Sequence, residues 1–371
     1  MPLDTPFFKT LQQSVREYGG FYNAHLHLDR SGTLPSPTPA EGTADADYRL
    51  SLAEKHRRFS SIHEGSDFDP EPMRKRLNFF LDAMEQANTR RADTLVDVTP
   101  GRIRDNSLNL LLELKAERRG NLDLNLAAYT PMGFRDDEPE RWRLFADAAR
   151  RSDLIGALPE RDNRYIYPEH IGFREHCRRV LELALNIGKP LQMHLDQHND
   201  PREHETEIFL DVVDELGVSR FESAEPMVWI IHFISPAHYE PGRRQDLIAK
   251  LAELNIGVVC CPSAALSMRQ LRNVVSPTGN SIAPVLELLA AGVHVSLGSD
   301  NIADICSPAG TPDLMDEMFV LCNAIRFYDI DVLARIATGS DLDERGIALV
   351  REHLAHDMEE LEKSLHYHPP V

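Results

Sequence analysis

Short apolar runs recur along this chain at the spacing of one strand and one helix. They are GFYNAHLHL (20–28), DTLVDVT (93–99), LDLNLAAYT (122–130), DLIGALP (153–159), PLQMHL (190–195), MVWIIHFI (227–234), IGVVCCP (256–262) and VHVSLGS (293–299). Their length and apolar content predict strands, and the stretches between them carry the 3.6-residue period of amphipathic helices. In EIFLDVVDEL (207–216), Ile208, Phe209, Val212, Val213 and Leu216 fall on one stripe. Asp200 is the expected cap of that helix, with Pro201 in the first turn, Glu203 completing a box-like pattern and Gly217 as the stop. In SIAPVLELLAAG (281–292), Ser281 reads as the cap and Gly292 as the stop. Eight such alternations predict parallel strands joined by right-handed crossovers. A closed (β/α)8 TIM-type barrel is the natural solution, and a doubly wound open sheet is the competing one.

No domain break is evident, so residues 1–371 are expected to form a single barrel domain. Residues 29–68 are rich in Pro, Ser, Thr and charge, with a short helical pattern near YRLSLAEKHRRF. Directly after the first strand, such a segment is expected to be a lid-like insertion. Residues 310–371 read mainly as helices packed on the barrel's outside.

The 371 residues, 42% hydrophobic and 27% charged, suit a globular protein with one large core. A net charge of −19 argues against nucleic acid or anionic membrane as a partner. No run of about 18 apolar residues and no basic-apolar leader is evident, so neither a membrane span nor a signal peptide is expected. The five cysteines, Cys177, Cys260, Cys261, Cys306 and Cys322, are odd in number and form no C-x-x-C pair. They argue against a disulfide scaffold or a cysteine-zinc site and for a reducing cytoplasm. The oligomeric state stays open, with a homo-oligomer compatible.

The chemistry starts at NAHLHLDR (23–30), where His25 and His27 stand two apart. With 16 histidines in 371 residues, about one His-x-His arises by chance, and His366 and His368 in the polar tail are such a pair, read as a solvated terminus. Partners elsewhere distinguish the first pair. Strand alternation puts Phe21, Asn23, His25 and His27 on one face, opposite Ala24, Leu26 and Leu28. Gln192 and His194 share a face of the fifth strand, His232 ends the sixth, and His294, Ser296, Gly298 and Asp300 share a face of the eighth. Thus His25, His27, His194, His232 and Asp300 all fall at or just past carboxyl ends of strands, the rim where barrels build active sites. Three imidazoles and a carboxylate suit Zn²⁺ or Fe²⁺ with a position left for water.

This order of residues resembles the amidohydrolase superfamily of metal-dependent barrel hydrolases, and within it the cytosine deaminase-like branch that includes triazine-ring hydrolases. The strings HLHLDRSGT, LVDVTPG, IGALPERD, QMHLDQHNDP, CCPSAALSM and APVLELLAAGVHVSLGSDN carry the resemblance, which spans roughly residues 20–330. It implies that His25, His27, His194 and Asp300 ligate a metal and that His232 sits beside the metal water, orienting and polarising it. Two-metal members carry a carbamylated lysine on strand four. DLIGALPERD has no lysine near its end, so one divalent ion is expected, zinc first and iron second. The chain departs from the branch in three ways. The deaminase motif continues His-x-x-Glu with a proton-shuttling Glu, whereas Gln197 stands here, and an amide delivers no proton. Asn301 replaces an Asp often found after the last ligand. Only about 20 residues precede the first strand, so the β-sandwich of many members is expected to be absent or vestigial.

The expected activity is hydrolysis of a C–N bond in a small, cyclic nitrogenous substrate or amide. Asp300 would take the water's proton and pass it to the departing nitrogen, His232 would stabilise the developing charge, and Gln197, Asn301 and Glu160 are candidate substrate contacts. Deamination is the family default, and ring opening or removal of a substituted amine is the variant that Gln197 favours. The alternative from another class is a non-catalytic barrel that keeps its metal and binds a small ligand, which Gln197 alone supports. Metal-dependent phosphoester hydrolysis, with Arg30 and Arg161 near strand ends, fits the acidic charge balance poorly. Glu160 stands between a substrate contact and a rim salt bridge. Asp97 stands between the barrel mouth and a place behind a ligand histidine. Trp229 reads as packing near the end of strand six, and Cys260 and Cys261 as buried barrel thiols.

Overall fold

Every apolar run contributes a strand. In chain order these are β1 (Phe21–Leu26), β2 (Thr89–Asp97), β3 (Asp123–Tyr129), β4 (Leu154–Ala157), β5 (Leu191–Leu195), β6 (Val228–His232), β7 (Ile256–Cys260) and β8 (Val295–Leu297). The computed structural model describes residues 4–33, 50–268 and 281–367. All eight strands belong to one parallel sheet ordered β1 to β8. The sheet curls until Leu26 bridges to Asp300, with the Asp300 N–H donating to the His25 carbonyl at 3.0 Å. The architecture is a (β/α)8 barrel.

The helices are α1 (Pro6–Glu17), α2 (Leu52–His63), α3 (Pro70–Gln86), α4 (Asn106–Glu117), α5 (Pro139–Arg151), α6 (Phe173–Ile187), α7 (Glu205–Glu215), α8 (Pro241–Leu254), α9 (Pro262–Ser267), α10 (Val285–Ala290), α11 (Leu314–Ile325), α12 (Ile330–Thr338) and α13 (Glu344–Tyr367). Among the described residues none is long and apolar enough to cross a membrane. The main core lies between strands and helices. Val96, Leu126, Met193, Ile230 and Val258 face Leu77, Leu111, Val180, Val213 and Leu251 there. Two smaller clusters fill the barrel's inside: Tyr22, Ala24, Ile231, Val259 and Cys261 in one, and Leu95, Ala127, Tyr129, Leu154 and Leu158 in the other. The barrel is therefore a packed core with an open upper end, not a pore.

Three local features differ from the sequence reading. First, β1 does not alternate strictly. Between Asn23 and Leu26 it spends three residues where β2 spends two, which is a β-bulge. Ala24 joins the cluster inside the barrel, while Phe21 joins the outer core, so Phe21 and Ala24 exchange the faces expected of them. Asn23 instead ties to Ser299, its Nδ2 donating to Oγ at 2.8 Å. The bulge puts His25 and His27 inward above Ala24. Gly298 makes room, since a Cβ there would lie 2.8 Å from the His25 carbonyl and 2.9 Å from its Cβ.

Second, α7 starts at Glu205, five residues after Asp200. Asp196, at the end of β5 with φ 53°, caps it from the strand: its carboxylate accepts from Glu205 N at 3.0 Å and Thr206 N at 3.2 Å. Asp200 closes the preceding turn onto Arg202 N at 2.9 Å. Gly217, with φ 71°, follows the helix as expected. Third, α10 begins only at Val285, because Ser281 is engaged by Asn199 Nδ2 at 3.0 Å and Pro284 precedes the first turn.

The helical pattern after β1 becomes α2, opened by a capping box: Ser51 Oγ accepts from Glu54 N and Glu54 Oε2 from Ser51 N. Residues 34–49 of the expected lid lie outside the described residues, as does His368, while His366 falls in the last turn of α13. Trp229 sits near the start of β6, not its end, with its ring against Gly257.

Candidate metal centre and its cavity

The bulged end of β1 carries His25 and His27, and β5 carries His194. One ligand atom from each lies within 4.8 Å of the others, and all three residues are buried. The rings are oriented by hydrogen bonds on their far sides. Gln192 Nε2 donates to the Ala24 carbonyl at 2.8 Å, so its Oε1 accepts from His25 Nδ1 at 2.8 Å. His194 Nδ1 donates to the Ala157 carbonyl at 2.9 Å. Both Nε2 lone pairs are thereby left free, and His25 Nε2 is buried with no hydrogen-bond partner among the described residues. Buried lone pairs without donors are costly unless something else occupies them.

Asp300 stands just past β8 with φ 57°. Its Oδ1 lies 3.6 Å from His25 Nε2 and 3.4 Å from His27 Nε2. Its Oδ2 lies 4.0 Å from Nε2 of His232, which ends β6 with φ 78°. Left-handed backbone at two non-glycine strand ends costs about 1–3 kcal/mol each, and such strain gathers at functional sites. Burial drives the His27 and His194 pKa values well below normal and that of His232 to about 4, so these rings are neutral and able to ligate. Burial alone would raise Asp300, but His25, His232 and His194 around it outweigh burial and keep it ionised.

Above this group opens a cavity of about 350 Å³, within the range of small-molecule sites. His27, His194, His232 and Asp300 line its floor, while Lys55, His56 and Phe59 of α2 form one wall. Arg30 enters beside them. Its guanidinium lies 4.2 Å from the Phe59 ring centroid and 3.6 Å from Asp97, which also bonds His63 at 2.8 Å. Asp97 thus anchors α2 and Arg30; no candidate ligand histidine rests on it.

No family model matches the chain. It is 25% identical over 284 residues to an uncharacterized protein of Haemophilus influenzae, covering 76% of this chain and 95% of the relative. Among solved structures, 5-methylcytosine deaminase from Klebsiella pneumoniae superposes with a TM-score of 0.71 at 21% identity, over 86% of this chain and 73% of that one. N-isopropylammelide isopropylaminohydrolase from Burkholderia multivorans gives 0.63 at 23% identity, over 90% and 74%. The chain shares the barrel fold of these two structures.

Within that barrel, the position after β5 where the resemblance leads one to expect Glu holds Gln197. Its Nε2 donates to Glu160 Oε2 at 2.7 Å. A carboxylate can only accept, so it turns the amide's NH2 toward itself and leaves the carbonyl oxygen for the cavity, which Gln197 lines. Glu160 does not line this cavity. It borders an adjoining surface depression, behind Gln197 and His198. Asn301 lines the cavity, but its Nδ2 donates to Asp300 Oδ1 at 2.8 Å and its Oδ1 accepts from Arg30 at 3.4 Å. Both ends of that amide serve the protein.

Among the charged residues of the cavity, Lys55 and His198 escaped the sequence reading. His198 lines the cavity, and its Nε2 lies 3.0 Å from Glu160 Oε2. Its signal was its place directly after Gln197 in LDQHND, a loop with no periodicity to assign it a face.

Proposed function

We propose that this protein hydrolyses a C–N bond in a small nitrogen heterocycle or cyclic amide. It would hold one divalent cation, zinc first and iron second, on His25, His27, His194 and Asp300. The observation that carries this reading is the group of three buried imidazoles, two with their far nitrogens tied to Gln192 and Ala157, and a carboxylate 3.4–3.6 Å from His27 and His25 at a cavity floor. This donor set fits a zinc-type cation, because it gathers imidazole nitrogens and a carboxylate at one buried point. Such a cation supplies Lewis acidity that brings the pKa of a coordinated water from 15.7 to about 7.

The chain's own residues do the rest. Asp300 Oδ2 is the carboxylate oxygen turned toward His232, and it takes a proton from the attacking water. His232 Nε2 faces the same point and holds the water in line or stabilises the negative charge that develops on oxygen. Gln197 offers a carbonyl to an N–H of the substrate. The apolar faces of Phe59, Leu158 and Ile234 suit a flat ring.

The test is metal analysis of the purified protein with a turnover screen. Cytosine and 5-methylcytosine are assayed for ammonia, and N-isopropylammelide for isopropylamine. The expected result is about one metal per chain and release from at least one probe, both lost in His194→Ala. Metal without turnover of any nitrogen heterocycle favours the non-catalytic binder, and a protein that binds no divalent metal sinks both readings.

A further inference from the structure

We propose that His198 gives the proton to the departing nitrogen, with Glu160 as the residue that positions it; this rests on the hydrolase reading above. An amino group leaves poorly unless it is protonated, and Gln197 cannot supply that proton. His198 is placed to do so. Its ring lines both the cavity above the candidate metal centre and the adjoining depression, so it forms part of the wall between them. Its Nε2 faces Glu160 Oε2 at 3.0 Å and Glu203 Oε1 at 3.9 Å, and its backbone N–H donates to Glu203 Oε2 at 3.1 Å. Its Nδ1 bonds to nothing among the described residues. One N–H is therefore held by a carboxylate while the other remains transferable.

The surrounding charges agree. Burial works against a cation here, but Glu160, then Glu203 and Glu205, raise His198 to a pKa of about 10. Glu160 is held down to about 2, with His198, His56 and Gln197 outweighing its burial, so it carries no proton to give. Burial raises Glu203 to about 7, and Glu205 well above normal. Burial keeps His56 on α2, across the cavity, neutral at about 3. His198 is thus the charged imidazole on this side. Its charge reaches the floor as well, being one cause, after burial and His25, of the low pKa of His232.

The step balances as follows. Water adds to the ring carbon and yields one proton to Asp300 Oδ2. His198 Nδ1–H passes to the amino nitrogen, and the C–N bond breaks with its electron pair on that nitrogen. Ammonia or the free amine leaves, and the carbon keeps the oxygen, first as C–OH and then as the oxo tautomer. Asp300 releases its proton to solvent, and His198 regains one through the depression lined by Glu203.

The test compares His198→Gln and Glu160→Gln with wild-type holoprotein. Each is assayed on an amino probe that wild type hydrolyses and on its chloro analogue, whose leaving group needs no proton. His198→Gln should lower kcat on the amino probe by about 10²–10³-fold with KM within threefold, at least tenfold more than its loss on the chloro analogue. Metal content should be unchanged. Glu160→Gln should move the alkaline limb of the kcat profile from near pH 10 toward pH 7. In ¹³C-histidine NMR spectra of the holoprotein, the His198 ring should stay charged to about pH 10 in wild type and titrate near neutrality in Glu160→Gln. The spectra decide the matter even if His198→Gln fails to fold, since a neutral His198 at pH 7 overturns the proposal. So does equal loss on both leaving groups, or turnover that survives His198→Gln. Those outcomes leave the hydrolase reading standing, whereas no wild-type turnover of any probe removes both.

Discussion

Replacing Gln192 by methionine removes the amide that orients His25 while nearly keeping its volume. Gln192 is 1% exposed and His25 is fully buried. The substitution strands two groups at once: His25 Nδ1–H, which donated a hydrogen bond to Oε1 at 2.8 Å, and the Ala24 carbonyl, which accepted one from Nε2 at 2.8 Å. A buried polar group left unpaired costs about 1–3 kcal/mol, so the metal-free protein should lose about 2–6 kcal/mol toward urea unfolding. The free ring can also turn its Nε2 away from His194. Loss of such an outer partner weakens metal affinity by about 10–100-fold, equivalent to about 1.4–2.7 kcal/mol. Competition against a chromogenic chelator measures this on metal-free protein. Gln192→Glu separates the two effects, because a carboxylate still accepts from His25 but cannot donate to Ala24. That variant should be destabilised yet keep its metal affinity within tenfold. Wild-type metal affinity in Gln192→Met would falsify the assignment of His25 Nε2 as a ligand atom.

Gly298→Ala should lose about 1–3 kcal/mol by overpacking and weaken metal binding, because its Cβ would sit 2.8 Å from the His25 carbonyl; unchanged urea midpoint and affinity refute this. Stripping the metal from wild type should lower its unfolding free energy by about 2.7 kcal/mol relative to protein held at 100 times Kd, and the gap should vanish in His25→Ala; a gap that persists in the variant places the cation elsewhere. His198 is raised from 6.5 to about 10, so its contribution to stability is full below pH 6.5 and is lost as pH rises through 10. Glu160 is depressed from 4.5 to about 2, so its contribution is present above pH 4.5 and is lost as pH falls through 2. The stability difference between wild type and His198→Gln should therefore peak between pH 4.5 and 6.5 and shrink toward pH 10. Urea unfolding at pH 5.5, 8 and 10 checks it, and a difference that grows with pH contradicts the pairing.

The barrel was legible because its signal is local. A strand such as MVWIIHFI declares itself by β-branched and apolar content, and EIFLDVVDEL by its stripe. The gathering of His25, His27 and His194 was legible for a related reason: strand ends in a parallel barrel share one rim, so order along the chain predicts proximity. What each side chain does there was less legible. Asn301 read as a substrate contact but is spent on Asp300 and Arg30, and Glu160, read as either a substrate contact or a rim salt bridge, stands behind Gln197 and pairs with His198. Asp97 had two readings, and neither included His63, 34 positions away. The start of α7 was misread because its cap comes from Asp196, nine residues earlier, just past the end of β5.

By itself, the sequence determined the eight strand–helix alternations, the rim they create, and the residue types delivered to it, because periodicity and composition act within a few residues of chain. Only the tertiary structure decided the β1 bulge that turns both histidines inward, the Gln192 amide that sets a ring's tautomer, and the Glu160 carboxylate that turns Gln197 around and faces His198. Each of these depends on a hydrogen-bond partner between 37 and 276 positions distant, such as Ser299 for Asn23. Such partners meet only when the barrel closes and water is excluded, and no local pattern records which unpaired group will find which.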